Sequence, residues 1–251
     1  MHDIGLISII MAAYNAEKTI EMAIGSVLSQ SYRNWELIVI NDCSTDRTAS
    51  LVESIADPRV RLIHNEVNSG VSFTRHRGVE EAKGEWIAIL DSDDAWAPEK
   101  LEKQAQRKIE KNADLLFTAS SFMNADGEPI DWVLHAPEEI GYRTLLKQNL
   151  ISNSSVLVRK ALYQAHELQG DDMHEDFACW LRILKSGVKA YGVDEPLLIY
   201  RLSSTSKSGN KLKAAKMIWK TYRKVGLNVF EAGYYMVWYT INGLKKYKNL
   251  K

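Results

Sequence analysis

The chain has 251 residues, 45% of them apolar and 25% charged, two cysteines and a formal net charge of zero. That mix describes a soluble globular protein of one large domain, or one domain with a small appendage, and excludes a disordered chain, a collagen-like fibre and a disulfide scaffold. No run approaches the roughly 18 apolar residues of a membrane span, the segment Met1-His2-Asp3-Ile4-Gly5 has no basic leader or cleavage site, and Cys43 and Cys179 are too few for a structural zinc site. The expectation is a cytosolic chain with two reduced thiols, a single bridge being the alternative.

In chain order, Leu6-Ile7-Ser8-Ile9-Ile10-Met11 is a β-branched apolar run and predicts a buried strand. Asn15 is placed to cap the next segment, where Ile20, Ala23, Ile24, Val27 and Leu28 share one helical face. Leu37-Ile38-Val39-Ile40 repeats the strand pattern, and Ser44 or Thr45 opens a helix to about Ile55. Val60 to Ile63 predicts a third strand, Val71 to Lys83 a helix stopped by Gly84, and Trp86 to Leu90 a fourth strand. That strand runs directly into Asp91-Ser92-Asp93-Asp94, and Pro98 suits the first turn of a helix over 99–111. Alternating strands and helices imply βαβ units and a mostly parallel sheet. Ligands of such sheets bind beyond the carboxyl ends of the strands. Here those ends carry Ala12-Ala13-Tyr14-Asn15, Asn41-Asp42 and Asp91-Ser92-Asp93. Neither a Gly-rich dinucleotide loop nor a Walker Gly-Lys-Ser/Thr is present, which argues against an NTPase.

The middle is less regular. Leu115 to Thr118 and Ser155 to Val158 predict strands with an Asn124-Ala125-Asp126-Gly127 turn between them. Glu175 to Leu184 predicts a helix, Lys189 to Val193 a strand, and Ser203 to Asn210 a polar loop. From Lys207 onward there are eleven basic residues and one acid, Glu231, a net +10. The first 206 residues therefore carry −10, and halves so unequal point to two different jobs.

Three acidic constellations have chemical potential. Asp91 and Asp93, alternate residues at a strand exit, can address one ligand. Converging carboxylates repel unless a cation joins them, and their hard oxygens suit Mg²⁺ or Mn²⁺. The competing reading is an acidic capping turn before Pro98. Asp42 is either a partner for a base or ribose, or a turn residue. Glu175 and Asp176 begin a helix, where the macrodipole favours them as a capping pair. Alternatively one of them is a general base, desolvated by Phe177 and Trp180.

Taken in order, Ser8 to Asn15, Ile38 to Asp46, Arg75-His76-Arg77-Gly78, Ile89 to Asp94, Glu175-Asp176 with Trp180-Leu181-Arg182, and Tyr200-Arg201 resemble the family-two glycosyltransferases over about residues 6–206. The resemblance implies an α/β GT-A fold, a Rossmann-like, mostly parallel central sheet flanked by helices, and inverting transfer from a nucleotide sugar. It divides the chain into a glycosyltransferase domain, 1–206, and a helical C-terminal tail, 207–251. The nucleotide half of the domain is about 1–110 and the acceptor half about 111–206. By position it assigns Asp42 to the uracil or ribose, Ala12 and Tyr14 to the base pocket, and Arg75 to the neighbourhood of the nucleotide. Asp91-Ser92-Asp93 matches the DxD motif, with Asp93 toward a Mn²⁺ or Mg²⁺ ion and Asp91 toward the ribose or the metal. Asp176 matches the catalytic base. Arg201 and the loop lysine would close over the diphosphate. Ala12 stands where many members have Pro, and Asn41 and Cys43 replace the commoner Asp and Gly.

The tail interleaves its lysines with Trp219, Tyr222, Phe230, Tyr234, Tyr235, Trp238, Tyr239 and Tyr247. This composition suits a helix in a membrane interface, or a helical pair that packs its aromatics on the domain. Nucleic acid is discounted, because the front of the chain supplies no basic stripe. The expected protein is thus a metal-dependent hexosyltransferase, peripheral on the inner face of an anionic membrane. Its donor is a UDP-sugar, and its acceptor a lipid-linked saccharide of surface polysaccharide synthesis. A catalytically silent nucleotide-sugar-binding scaffold and a nucleotidyltransferase are the alternatives, the latter lacking its Gly-rich loop.

Overall fold

The computed structural model describes residues 2–202 and 211–248. A first half winds β1 (Ile7–Ala13), α1 (Ile20–Leu28), β2 (Trp35–Asn41), α2 (Thr48–Glu53), β3 (Val60–His64), α3 (Gly70–Glu81) and β4 (Trp86–Ile89) into a βαβ array. Its strands pair in parallel in the order β3-β2-β1-β4. β1, β2 and β4 are buried on both faces, so their apolar runs are nearly unbroken. Alternate residues serve opposite layers. Ile7, Ile9, Met11, Leu37 and Val39 meet Ile20, Ala23, Ile24 and Val27 of α1 in one core. Ile10, Ile38, Ile40, Ile87 and Ile89 face the other, which holds Phe177, Trp180 and Leu181.

β5 (Ala95–Trp96), α4 (Lys100–Lys111), β6 (Leu115–Met123), β7 (Pro129–Leu134), β8 (Glu139–Ile140), α5 (Tyr142–Lys147), β9 (Leu157–Arg159), α6 (Lys160–His166), α7 (Glu175–Lys185) and β10 (Ala190–Arg201) follow. β9 enters the sheet antiparallel between β4 and β6, and β10 runs parallel to β6. The second half of the sheet is therefore mixed where the first is parallel. The expected turn at 124–127 is present, but it joins β6 to its antiparallel neighbour β7. β5, β7, β8, α5 and α6 were not expected.

Asn15 does not cap α1. Its backbone sits at φ 49° and its side chain accepts from the Thr45 amide at 2.9 Å, tying the β1 exit to the β2 exit. The α2 segment is shorter than expected because Asp46 accepts from the amide and hydroxyl of Thr48, which starts the helix later. Both thiols are free, Cys179 buried and Cys43 half-buried.

α8 (Lys211–Lys224) and α9 (Val229–Lys248) form the tail. Ile218, Tyr222, Val225, Leu227 and Ala232 enter the same core as α7, and the Tyr222 hydroxyl donates to the Leu146 carbonyl at 2.6 Å. No helix of the described residues is long and apolar enough to cross a membrane.

α3 lies on β1 so closely that a Cβ at Gly78 would sit 2.5 Å from Ile10 Cγ2. Gly78 is thus the contact that sets the depth of α3, and with it the position of Arg75 one turn earlier. Gly78→Val should lower the unfolding free energy by about 1–3 kcal/mol through overpacking. Urea denaturation, read as a lower midpoint at unchanged slope, checks this.

Candidate active site

Because β1, β2 and β4 are parallel neighbours, their carboxyl ends meet at one edge of the sheet. A cavity of about 900 Å³ opens there, large enough for a nucleotide sugar by the usual range of small-molecule sites. Ala12, Tyr14, Asp42, Arg75, Asp91, Ser92, Asp93 and Asp176 all line it. The three acidic constellations, 134 positions apart at their extremes, are brought to one site.

Asp42 is held at the start of α3. Its Oδ1 accepts from the Ser69 amide at 2.8 Å and from Asn65 Nδ2 at 2.7 Å, and its Oδ2 accepts from the Gly70 amide at 2.9 Å. The carboxylate thus satisfies backbone donors at a helix N-terminus while forming part of the cavity wall. Cys43 beside it adopts φ 60°, a left-handed conformation that glycine enters without cost. The replacement of the commoner glycine is accommodated there, with Cys43 Sγ donating to the Asn65 carbonyl at 3.1 Å.

Arg75 is the centre of the site. Its side chain is only 9% exposed. Nη1 pairs with Glu175 Oε1 at 2.5 Å, Nη2 pairs with Asp91 Oδ1, and the Asn153 amide, with its oxygen toward the guanidinium, accepts from Nε at 3.2 Å and Nη2 at 3.1 Å. Burial alone would weaken this cation. The charges of Asp91, Glu175 and Asp176 overcome that and hold its pKa above the ordinary arginine value. Sequence reading assigned Arg75 to the neighbourhood of the nucleotide. The structure gives its fork to two carboxylates, one from the DxD turn and one from the start of α7.

Glu175 and Asp176, at the start of α7, both line the cavity, and Glu175 there commits its Oε1 to Arg75.

Arg201 is placed differently from the other candidates. Its amide donates to Asp94 Oδ1 at 2.9 Å, its Nε to the Asp93 carbonyl at 3.0 Å, and its Nη1 to the Ala125 carbonyl at 2.8 Å. It braces the acidic turn and is absent from the cavity lining. The lysine expected to close with it, Lys207, lies outside the described residues.

Several lining residues had no sequence signal that singled them out. Asn153 comes from a 3-10 turn before β9, and the next residue of that turn, Ser154, lies behind the wall with its Oγ accepting from the Asp91 amide at 3.1 Å. Trp132 is brought in by β7, stacked at 4.3 Å between centroids on Phe122, and Tyr239 by α9. A run of small polar residues, Ser152 to Ser155, and the isolated aromatic of a hairpin are the only hints a sequence could offer.

The residues at the DxD turn fit a divalent cation. Among the described residues no three His, Cys, Asp or Glu side chains form a ready cage. Asp91 and Asp93 offer one or two hard carboxylates at the cavity wall, and Mg²⁺ or Mn²⁺ needs no more where substrate phosphates and water complete the shell. Burial, and then the charge of Asp91, push the Asp93 carboxyl up to about 6, and burial with both neighbours pushes Asp94 well up as well. Burial and mutual repulsion thus disfavour charge on both of these acids.

A family model described as "Glycosyl transferase family 2" matches residues 8–164. The "Putative teichuronic acid biosynthesis glycosyltransferase TuaG" of Bacillus subtilis (strain 168) is 39% identical over 244 residues, covering 96% of this chain and 97% of that protein. The "UDP-Glc:alpha-D-GlcNAc-diphosphoundecaprenol beta-1,3-glucosyltransferase WfgD" of Escherichia coli is 36% identical over 252 residues, covering 98% of each. Among solved structures, S. aureus TarS 1–349 in complex with UDP-GlcNAc superposes with a TM-score of 0.71 at 18% identity, covering 92% of this chain and 70% of that one. At that identity the likeness is one of fold, and the fold it shares is GT-A.

A raised carboxyl destabilises the empty protein at neutral pH. The stabilising contribution of protonated Asp93 is complete below about pH 4 and is lost as pH rises through about 6. Asp93→Asn should thus raise the stability of the metal-free protein by about 1–2 kcal/mol at pH 7.5, the linked shift being reduced by solvent at the cavity wall. The gain should vanish near pH 4. Thermal unfolding at the two pH values, in EDTA, is the measurement, and an equal melting difference at both would remove Asp93 as the titrating group.

Proposed function

We propose that this chain, which belongs to glycosyl transferase family 2, moves a hexose or N-acetylhexosamine from a UDP-sugar to a hydroxyl of a polyprenyl-diphosphate-linked saccharide, with inversion. The observation that carries this reading is the convergence of Asp42, Asp91, Asp93 and Asp176 on one cavity at the carboxyl edge of the sheet. The end-to-end match to a protein named for a UDP-Glc donor and a diphosphoundecaprenol-linked acceptor supports the choice of substrates. The β-1,3 linkage in that name agrees with inversion of an α-linked donor.

Ala12, Tyr14 and Asp42 would bind the uridine between the β1 and β2 exits. Asp176 takes the proton of the acceptor hydroxyl as its oxygen attacks the anomeric carbon. The bond from that carbon to the phosphate oxygen breaks on the opposite face, and its electron pair leaves with UDP. One displacement needs no enzyme nucleophile. Glu175 is already committed to Arg75, which supports Asp176 as the base and gives Glu175 a positioning role. Asp93 and Asp91 would hold a divalent ion, which when bound supplies Lewis-acid neutralisation of the charge building on the diphosphate. Arg75 orients Asp91 and keeps its charge beside the cavity. The basic tail would draw the protein to an anionic membrane on the cytoplasmic side, where a lipid-linked acceptor resides.

Asp176→Asn should lower transfer by about 10²–10⁴-fold, the usual worth of a general base, with UDP affinity and melting temperature little changed. Glu175→Gln should do the reverse in part. It leaves buried Arg75 with a weakened partner, so stability falls by up to about 3 kcal/mol while the base remains. Transfer kinetics, UDP titration and thermal melts on both variants decide the assignment. A dead, normally stable Glu175→Gln beside an active Asp176→Asn would exchange the two roles. The ion is tested separately: Asp93→Ala, or EDTA with the wild type, should abolish metal-dependent UDP binding and nearly all turnover, and undiminished turnover in either would refute the metal role.

A further inference from the structure

α9 has two apolar faces. Its inner face carries Ala232, fully buried, with Tyr235, Met236 and Tyr239 packed on the core. The Tyr239 ring lies 5.9 Å from that of Phe177 and also lines the cavity. An inner face of this kind anchors a helix and would suffice for a terminal element.

The outer face is apolar too. Phe230 is 88% exposed, Tyr234 55%, Val237 59%, Ile241 39% and Leu244 68%. At 100° per residue these five fall within an arc of about 80°, opposite Tyr239, and form a ridge about 21 Å long. Trp238 stands at its edge, 38% exposed, with the Lys147 ammonium 5.4 Å from its ring. No charged residue occurs in the sequence between Glu231 and Lys245, and Lys245, Lys246 and Lys248 follow directly. The neighbouring α8 exposes Lys213, Lys216, Lys220 and Lys224. An exposed apolar stripe of this length marks an interaction surface. An apolar ridge on a helix whose sequence runs on into lysines, beside a helix that exposes lysines, complements the headgroup zone of an anionic bilayer. It would lie in that zone, since the helix is not apolar enough to cross.

We infer that the outer ridge of α9 seats on an anionic lipid surface, and that α9, by presenting Tyr239 to the cavity from its other face, holds the acceptor end of the cavity against that surface. The second half rests on the lipid-linked acceptor proposed above; the first half does not. A ridge residue and a cavity residue half a turn apart place lipid and active site on the two sides of one helix. An acceptor anchored in the bilayer then reaches Asp176 by passing the edge of α9, without leaving the lipid.

The experiment compares the full chain with Phe230→Ser/Val237→Ser/Leu244→Ser, three exposed positions whose change leaves the core intact. Cosedimentation uses phosphatidylglycerol–phosphatidylcholine vesicles, with phosphatidylcholine alone as the neutral arm. The ridge variant should lose about tenfold or more of its partition to the anionic vesicles. Part of the wild-type binding should persist at high salt, because apolar burial is not screened. Transfer is then measured on two acceptors, one in vesicles and one a short-chain, water-soluble diphosphate sugar. The variant should be impaired on the first and unchanged on the second, which also reports that it is folded. The single change Ile241→Asp, in mid-ridge, should reproduce the pattern. Vesicle binding equal to wild type in both variants overturns the proposal. A wild type that is dimeric without lipid, and monomeric once the ridge is changed, overturns it in favour of a second copy on that face. Lost vesicle binding with no transfer to either acceptor by the wild type upholds the seat and refutes the acceptor reading instead.

Discussion

Arg75 joins two acidic elements that lie 84 positions apart in the chain. Asp91 leaves the fourth strand of the parallel array, and Glu175 begins α7 in the mixed half of the fold. A buried guanidinium with one carboxylate from each is costly to assemble, since three ions give up water. Once formed it is costly to break, because any one partner removed strands the others. The same pair distinguishes two adjacent acids that both reach the cavity, for Glu175 has one carboxylate oxygen committed to Arg75. The depth of Arg75 depends in turn on Gly78, which lets α3 settle on β1. A missing side chain on a helix thus fixes the geometry of a charge cluster at the sheet edge.

The first hundred residues were legible because each element there carries its own periodicity and each loop ends where a strand ends. Ile7 to Ala13 and Trp35 to Asn41 are largely apolar, as strands buried on both faces tend to be, with Ser8 and Glu36 hydrogen-bonded to each other, and their polar exits mark the site. The second half lacks those signals. β5 and β8 have two residues each and β9 has three, too short for a pattern, and their pairing is settled by partners 40 to 100 residues away. The 3-10 turn that supplies Asn153 and Ser154 is likewise a tertiary product. Its residues are ordinary turn formers until β9 draws them beside the acidic turn.

Residue type located the acids, and the fold brought them together. Asp42, Asp91, Asp93 and Asp176 were all chosen from their places at strand and helix ends, and all reach the cavity. What sequence could not distinguish was a charge that faces ligand from a charge that faces protein. Arg201 shows this most plainly. It is the last residue of β10, next to a cavity residue, Tyr200, yet its Nε and Nη1 donate to the Asp93 and Ala125 carbonyls and so hold the acidic turn.

The division of charge along the chain acquires a physical meaning from this arrangement. A domain of net −10 that concentrates carboxylates around one cavity repels an anionic diphosphate by itself. Arg75 is too deeply paired to offset that alone. Among the described residues of the tail, α8 and α9 turn aromatic and aliphatic groups toward the domain and leave Lys213, Lys216, Lys220, Arg223 and Lys224 exposed. These cations therefore lie on a surface apart from the acidic cleft, while Tyr239, on α9, lines the cleft and packs on Phe177.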